Sequence, residues 1–264
     1  MKYLFSAWEE LGPLLQGAPL FLFLDYDGTL APIAATPAKA KILPGNKKIL
    51  EELSNTLGIK LAIISGREMG DIKSRLGLKN IIYAANHGLE IDGPRIKFKS
   101  QVGLKFRKTI KNIHDHLKNK LSEVRGALIE DKGLSLSLHY RMVKDAEVPR
   151  VKALFHELVI VPLVKNKIKV TGGKKVLEIR PAVKWDKGKV TLWLLARQQF
   201  NQGNKKILPV YIGDDLTDED AFKALRNKGI TIVVGKTSGS YAQFYLKDAV
   251  EVGEFLQRIK LCRN

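Results

Sequence analysis

Leu20-Phe21-Leu22-Phe23-Leu24-Asp25-Tyr26-Asp27-Gly28-Thr29-Leu30 is the stretch that decides the fold of this chain. Five consecutive apolar residues end abruptly in two aspartates, a glycine and a threonine. A short apolar run without polar alternation reads as a strand buried on both faces, as in parallel sheets. Open parallel sheets bind ligands outside the carboxyl ends of their strands, so Asp25 and Asp27 stand where a site belongs. Two carboxylates two residues apart concentrate negative charge that a cation offsets, and their oxygens select a hard one.

Outward from this strand the pattern alternates. Lys60 to Ile64 and Asn80 to Ala84 read as further strands. Pro44-Gly45 opens and Gly58 closes a helical segment with Ile49, Leu50, Leu53 and Leu57 on one face. Glu68 to Leu76 reads as a short helix stopped by Gly77. After Trp185 the alternation returns, with a helix from Gly188 to Phe200, a strand Ile207 to Ile212, a helix Asp220 to Asn227 and a strand Ile230 to Val234. The fold class is therefore α/β, a Rossmann-like doubly wound parallel sheet.

The middle differs. Ile110, Ile113, Leu117 and Leu121 form one helical face, and Val151, Leu154, Phe155 and Leu158 another. Leu134 to Leu138 alternates as a strand, while Lys167 to Thr171 and Lys174 to Ile179 flank Gly172-Gly173 as a hairpin. The expected organisation is a core from residues 1–99 and 183–264, with an inserted α+β cap from 100–182 above the carboxyl edge of the sheet. Asp92-Gly93-Pro94 and Pro181-Ala182-Val183 read as its linkers.

Composition narrows the function. The 264 residues are 45% hydrophobic and 8% aromatic, which excludes a disordered chain. Cys262 is the single cysteine, so no internal disulfide points to an oxidising compartment, and a cytoplasmic enzyme is expected. Trp8-Glu9-Glu10 interrupts any signal-peptide pattern, and the apolar run Ala18 to Leu24 falls well short of the ~20 residues of a membrane helix, so no membrane partner is expected. Lys and Arg number 45 against 27 Asp and Glu, a net charge of +18. These cations are scattered, with no basic run interleaved with aromatics. They read as a solvated surface attracting an anionic substrate rather than as a nucleic-acid site.

A second acidic cluster, Gly213-Asp214-Asp215-Leu216-Thr217-Asp218-Glu219-Asp220, follows the strand ending at Ile212. Acids at a helix start complement the macrodipole, and Asp218 or Thr217 suits a helix cap. Yet Asp214 and Asp215 end a strand just as Asp25 and Asp27 do, and two such clusters in one sheet point to magnesium. Between them, Ile63-Ile64-Ser65-Gly66-Arg67 ends a strand in a hydroxyl, a glycine and a cation. Ser65 and exposed amides can bind phosphoryl oxygens there, with Arg67 adding charge-assisted hydrogen bonds. Taken alone this is a common turn.

Together these motifs resemble the haloacid dehalogenase superfamily of phosphatases: Asp25-Tyr26-Asp27-Gly28-Thr29-Leu30 first, Ser65-Gly66-Arg67 second, Lys187-Gly188 third, Gly213-Asp214-Asp215 with Asp218 fourth. More narrowly the chain is similar to the trehalose-6-phosphate phosphatases. The narrower resemblance rests on Asn86-His87-Gly88-Leu89-Glu90, Glu130-Asp131-Lys132-Gly133, His139-Tyr140-Arg141, Val176-Leu177-Glu178-Ile179-Arg180-Pro181 and Thr217-Asp218-Glu219-Asp220-Ala221-Phe222.

The resemblance implies Asp25 as nucleophile and Asp27 as general acid and base. It implies Mg2+ held by Asp25, the carbonyl of Asp27 and Asp214, supported by Asp215 and Asp218. Ser65 and Lys187 would stabilise the phosphoryl oxygens. Gly66, Arg67, Asn86, His87, Glu130, Lys132 and Glu178 become candidate substrate-binding residues. Imidazole does not suit a hard cation, so His87 is not expected to bind metal. The implied substrate is trehalose 6-phosphate, with a trehalose-6-phosphate synthase as possible partner. Sucrose 6-phosphate, mannosyl-3-phosphoglycerate and a noncatalytic subunit role stand as alternatives.

Overall fold

A computed structural model of the chain describes residues 1–235 and 238–263. Its strands are β1 (Lys2–Tyr3), β2 (Leu20–Leu24), β3 (Ile59–Ile64), β4 (Ile82–Ala85), β5 (Glu90–Gly93), β6 (Ile96–Lys99), β7 (Leu128–Asp131), β8 (Leu136–His139), β9 (Ile168–Gly173), β10 (Val176–Pro181), β11 (Leu208–Gly213), β12 (Ile230–Val234) and β13 (Phe244–Leu246). The helices are α1 (Trp8–Gly17), α2 (Pro44–Ser54), α3 (Met69–Leu76), α4 (Gln101–Lys120), α5 (Val148–Val164), α6 (Lys187–Asn201), α7 (Glu219–Leu225) and α8 (Ala249–Leu261).

The chain divides into two units. The first, Met1–Ile33, Ala40–Phe98 and Trp185–Asn264, holds a nine-stranded sheet in the order β1-β13-β12-β11-β2-β3-β4-β5-β6. From β1 through β4 every pairing is parallel, and β5 then runs antiparallel to β4. The chain leaves β2 toward β3 on one side and returns to β11 on the other. The carboxyl end of β2 is thus the point where the strand order reverses.

All five residues of β2 are buried because helices cover both faces. Leu20, Leu22 and Leu24 pack with Leu15, Leu50, Leu53, Leu76 and Phe255 from α1, α2, α3 and α8. Phe21 and Phe23 point the other way, to Val190 and Leu194 of α6 and Phe222 of α7. The apolar run is the two-residue period of a strand read with both faces dry. Burying each such side chain is worth roughly 1.5–3 kcal/mol, which makes the strand a fixed platform for whatever follows it.

The second unit, Ala34–Lys39 with Lys99–Lys184, is a four-stranded antiparallel sheet in the order β7-β8-β10-β9. Ile110 and Leu117 of α4 and Val151, Phe155 and Val159 of α5 pack with Leu136, Leu138 and Ile179 of the sheet. Ser137 pairs in register with both Glu130 and Glu178, and Glu178 with Thr171. These four residues form one cross-strand row on a single face. Ala34–Lys39 groups with this unit although the sequence assigns it to the core, and Arg141 Nη1 donates a hydrogen bond to the Ala34 carbonyl.

Three local expectations are corrected. The β9–β10 hairpin turns at Lys174-Lys175, with Lys175 at φ 62, because Gly172 and Gly173 both pair within the ladder. Asp92 and Gly93 belong to β5 rather than to a linker, and the chain turns at Pro94-Arg95 into β6. Helix α2 ends at Ser54, leaving Leu57 96% exposed instead of on its apolar face. No helix of the described residues is long and apolar enough to cross a membrane.

Candidate active site

Asp25 follows the last residue of β2 and is 5% exposed. Its N–H donates to the Ile212 carbonyl at 2.9 Å, which ties the end of β2 to β11 and brings the two acidic clusters side by side. Carboxylate oxygens of Asp25, Asp214 and Asp218 lie within 4.8 Å of one another. Gly28 has φ +86, and a Cβ there would stand 2.1 Å from Asp214 Oδ2, so the loop after β2 closes on Asp214 only with glycine at that position.

Lys187 enters from α6. Asp186 caps this helix by accepting from the Lys189 N–H, which places Lys187 in the first turn. Its Nζ donates to Asp25 Oδ1 at 2.8 Å and to Asp218 Oδ1 at 2.7 Å. Burial opposes its charge, yet the Asp218 and Asp25 carboxylates outweigh burial and hold the ammonium well above the ordinary lysine value.

Asp218 carries the densest set of bonds. Oδ1 also accepts from the Tyr211 hydroxyl at 2.7 Å, and Oδ2 accepts the N–H groups of Asp214 and Asp215, each at 3.1 Å. Four donors occupy its lone pairs, so it organises Lys187 and the Asp214-Asp215 turn rather than offering a free oxygen. Of the two candidate caps, Asp218 rather than Thr217 stands at the N-cap position of α7, though without a side-chain cap bond there. Asp215 turns aside: its Oδ1 accepts from the Thr217 N–H at 2.6 Å and the Thr217 hydroxyl at 2.8 Å. Burial would raise the Asp215 pKa, but Lys187 and these Thr217 bonds together bring it below the usual aspartate value.

Burial pushes the Asp25 carboxyl well above its ordinary range; Lys187 offsets part of this, and Asp218 and Asp214 add repulsion. A hard cation fits this donor set. Asp25 and Asp214 are buried oxygen donors converging beside the Lys187 ammonium, and the glycine that admits Asp214 leaves no side chain in the way.

Asp27 lies two residues beyond Asp25, with its side chain 42% exposed. Arg67, expected to reach phosphoryl oxygens, is instead 4% exposed and forks onto this carboxylate, Nε to Oδ2 and Nη2 to Oδ1, both at 2.7 Å. Ser65 at the end of β3 is 1% exposed; its N–H donates to the Ala84 carbonyl and its Oγ accepts from the Arg67 N–H at 3.1 Å. Asn86 and His87 follow β4 at φ 49 and φ 55, their N–H groups bound to the carbonyls of Arg67 and Ser65. A Cβ on Gly66 would come within 2.7 Å of His87 Nε2, so that ring packs directly over Gly66. The second, third and fourth motifs thus arrive through β3, α6 and β11 at the end of β2.

In the second unit Lys132 Nζ donates to Glu178 Oε1 at 3.0 Å, and Arg180 Nε lies 3.7 Å from Glu178 Oε2. Lys132, Glu178 and Arg180 are all buried. Glu130 Oε2 is 2.8 Å from His139 Nε2. Sequence reasoning passed over Tyr211, Asp71 and Arg180. Tyr211 had a visible signal, since a phenol inside an otherwise aliphatic buried strand needs an acceptor. Asp71 and Arg180 had local signals too, since Arg67 and Arg75 stand four residues to either side of Asp71 and Arg180 follows Glu178 by two on one strand face.

The family model described as trehalose-phosphatase matches residues 23–249. Probable trehalose-phosphate phosphatase 4 of Oryza sativa subsp. japonica is 38% identical over 261 residues, covering 96% of this chain and 69% of its own. Trehalose-phosphate phosphatase B of Arabidopsis thaliana is 35% identical over 268 residues, covering 96% and 70%. The C-terminal domain of the C. albicans trehalose-6-phosphate phosphatase superposes with a TM-score of 0.80 at 26% identity, covering 95% of this chain and 97% of that one. With its acidic clusters gathered at one strand end and this similarity along nearly its full length, the chain belongs to the trehalose-phosphatase family, phosphoric monoester hydrolases of the haloacid dehalogenase fold.

Proposed function

We propose that this enzyme hydrolyses trehalose 6-phosphate to trehalose and inorganic phosphate, as a step of trehalose biosynthesis, through an aspartyl-phosphate on Asp25. The observation that carries the chemistry is Lys187 Nζ bound at once to Asp25 and Asp218 at the switch point of the sheet. The family match carries the substrate.

In this reading an Asp25 carboxylate oxygen attacks phosphorus, and the bond from phosphorus to the sugar oxygen breaks. Asp27 gives its proton to the departing oxygen, then takes one from the water that releases phosphate and restores Asp25. Lys187 and Ser65 stabilise charge on the phosphoryl oxygens, while Asp218 keeps Lys187 in place. Asp25, the Asp27 carbonyl and Asp214 would hold magnesium, which would supply a charge that offsets repulsion between carboxylate and phosphate. Gly66, Asn86 and His87 bound the phosphate side. Glu130, Lys132 and Glu178 take the sugar hydroxyls. The location is cytoplasmic, and a trehalose-6-phosphate synthase supplies the substrate.

Phosphate release across trehalose 6-phosphate, sucrose 6-phosphate and mannosyl-3-phosphoglycerate tests the substrate. Equal turnover of all three overturns the trehalose assignment. Asp25→Asn abolishes activity with the fold intact; wild-type rates from that variant would exclude the nucleophile.

A further inference from the structure

We infer that Arg67 is a positioning residue that acts through Asp27 and never on the phosphate. Its guanidinium lies behind Asp27, with its side chain 4% exposed against 42% for the carboxylate. Nε and Nη2 hold one Asp27 oxygen each at 2.7 Å, and Nη1 donates to Asp71 Oδ2 at 2.6 Å. The Tyr26 ring lies 5.2 Å from the guanidinium carbon. Arg75 Nε in turn holds both Asp71 oxygens, at 2.9 and 2.8 Å, and Arg75 Nη1 donates to the Ala40 carbonyl at 2.7 Å. A chain of alternating charge therefore runs from Arg75 and Asp71 on α3 through Arg67 to the carboxylate that manages the proton.

The fork has a geometric consequence. Two parallel N–H···O bonds fix the plane of a carboxylate, which a single bond from a lysine does not. Each Asp27 oxygen keeps a second lone-pair direction for proton transfer. Arg67 thereby sets where that direction points, and Asp71 sets Arg67. A carboxylate turned out of line loses proton transfer without losing the substrate, because the two arginines are engaged by Asp27, Asp71 and the Ala40 carbonyl.

This inference rests on the reading of Asp27 as the proton-transfer group, and leaving-group dependence separates the two. Protonation matters for a sugar alkoxide and hardly at all for the phenolate of p-nitrophenyl phosphate. The kcat/KM value reports the step in which that bond breaks. Arg67→Lys lowers kcat/KM about 100-fold on trehalose 6-phosphate and less than about 5-fold on p-nitrophenyl phosphate, carried by kcat rather than KM. In an Asp27→Asn background the same substitution costs less than about 3-fold on either ester, since residues acting as a unit are not additive. Asp71→Asn gives the same leaving-group contrast at smaller size, and it keeps the idea testable should Arg67→Lys fail to fold by circular dichroism.

Equal losses on both esters, an undiminished Arg67 effect in the Asp27→Asn background, or no loss at all overturns the inference. Asp27→Asn with undiminished turnover of trehalose 6-phosphate removes the proton-transfer reading instead. If the wild type ignores trehalose 6-phosphate, the substrate reading fails separately, and the same contrast is read on glycerol phosphate.

Discussion

Lys187 and Asp25 are 162 positions apart in the chain and 2.8 Å apart in the fold. The contact brings the first turn of α6 against the end of β2, and both side chains are nearly dry, 3% and 7% exposed. A buried ammonium between two buried carboxylates is stable only as a set. Removing the lysine leaves Asp25 and Asp218 facing each other without compensation.

Lys187→Met therefore costs stability as well as rate. We expect a loss of roughly 3–5 kcal/mol in urea unfolding, since one partner of a buried charged set is gone. Activity falls by at least about 100-fold. A variant of wild-type stability would show that the lysine is not what balances these carboxylates.

On the proposed reading, we expect divalent cation to stabilise the folded protein through Asp25 and Asp214. Saturating magnesium at about 100 times its dissociation constant adds close to 2.7 kcal/mol, read as a rise of several degrees in Tm. Asp214→Asn removes that rise. An unchanged melting curve with magnesium in the wild type counts against a cation at these carboxylates.

Gly28→Ala puts a side chain at φ +86, with its Cβ 2.1 Å from Asp214 Oδ2. The left-handed backbone alone costs about 1–2 kcal/mol for a non-glycine residue. The clash also moves Asp214, so the magnesium-dependent rise in Tm shrinks along with activity. Retention of both would mean that the loop after β2 relaxes freely.

The pH dependence of stability tests the arm behind Asp27. Burial works to raise the Asp71 pKa, but its bonds to Arg75 and Arg67 prevail and bring it below the ordinary aspartate value. A lowered carboxylate stabilises the fold above its unfolded pKa, and that contribution is lost as pH falls through the folded one. Asp71→Asn is therefore less stable than wild type at neutral pH, and the gap narrows below about pH 4. Parallel urea midpoints for the two proteins from neutral pH to about pH 2 would refute the linkage.

In the second unit, Glu178→Met removes the carboxylate that Lys132 and Arg180 share in a buried setting, while Lys132→Met/Glu178→Met recovers the part of the loss that falls on Lys132. If these residues also take sugar hydroxyls, the restored double variant keeps a KM for trehalose 6-phosphate at least about tenfold raised, the order of one lost charged hydrogen bond. The KM for p-nitrophenyl phosphate stays unchanged. A normal sugar-phosphate KM in the double variant would leave the pair a purely structural role.

Strands β2, β3, β11 and β12 were legible because a buried parallel strand is an unbroken apolar run with punctuation at its end. Edge elements were less so: β1 is two residues long and β13 three, too short to show a period. Gly172-Gly173 misled because glycine signals a turn by its freedom, whereas the register of β10 against β9 fixed the turn two residues later. The boundary at Ala34–Lys39 was invisible, since a contact with Arg141 over a hundred positions away leaves no local trace.

The sequence by itself determined the α/β class and the strand-end positions of Asp25, Asp27, Ser65 and Asp214, two acidic clusters of the kind that suits a hard cation, because period and charge are local properties of a chain. Tertiary structure alone decided how those groups divide their work. It gave Asp218 to Lys187 and Tyr211, turned Asp215 toward Thr217, and aimed Arg67 at Asp27. The physical reason is that a buried charge must find its partner in space, and the sheet chooses which charges become neighbours.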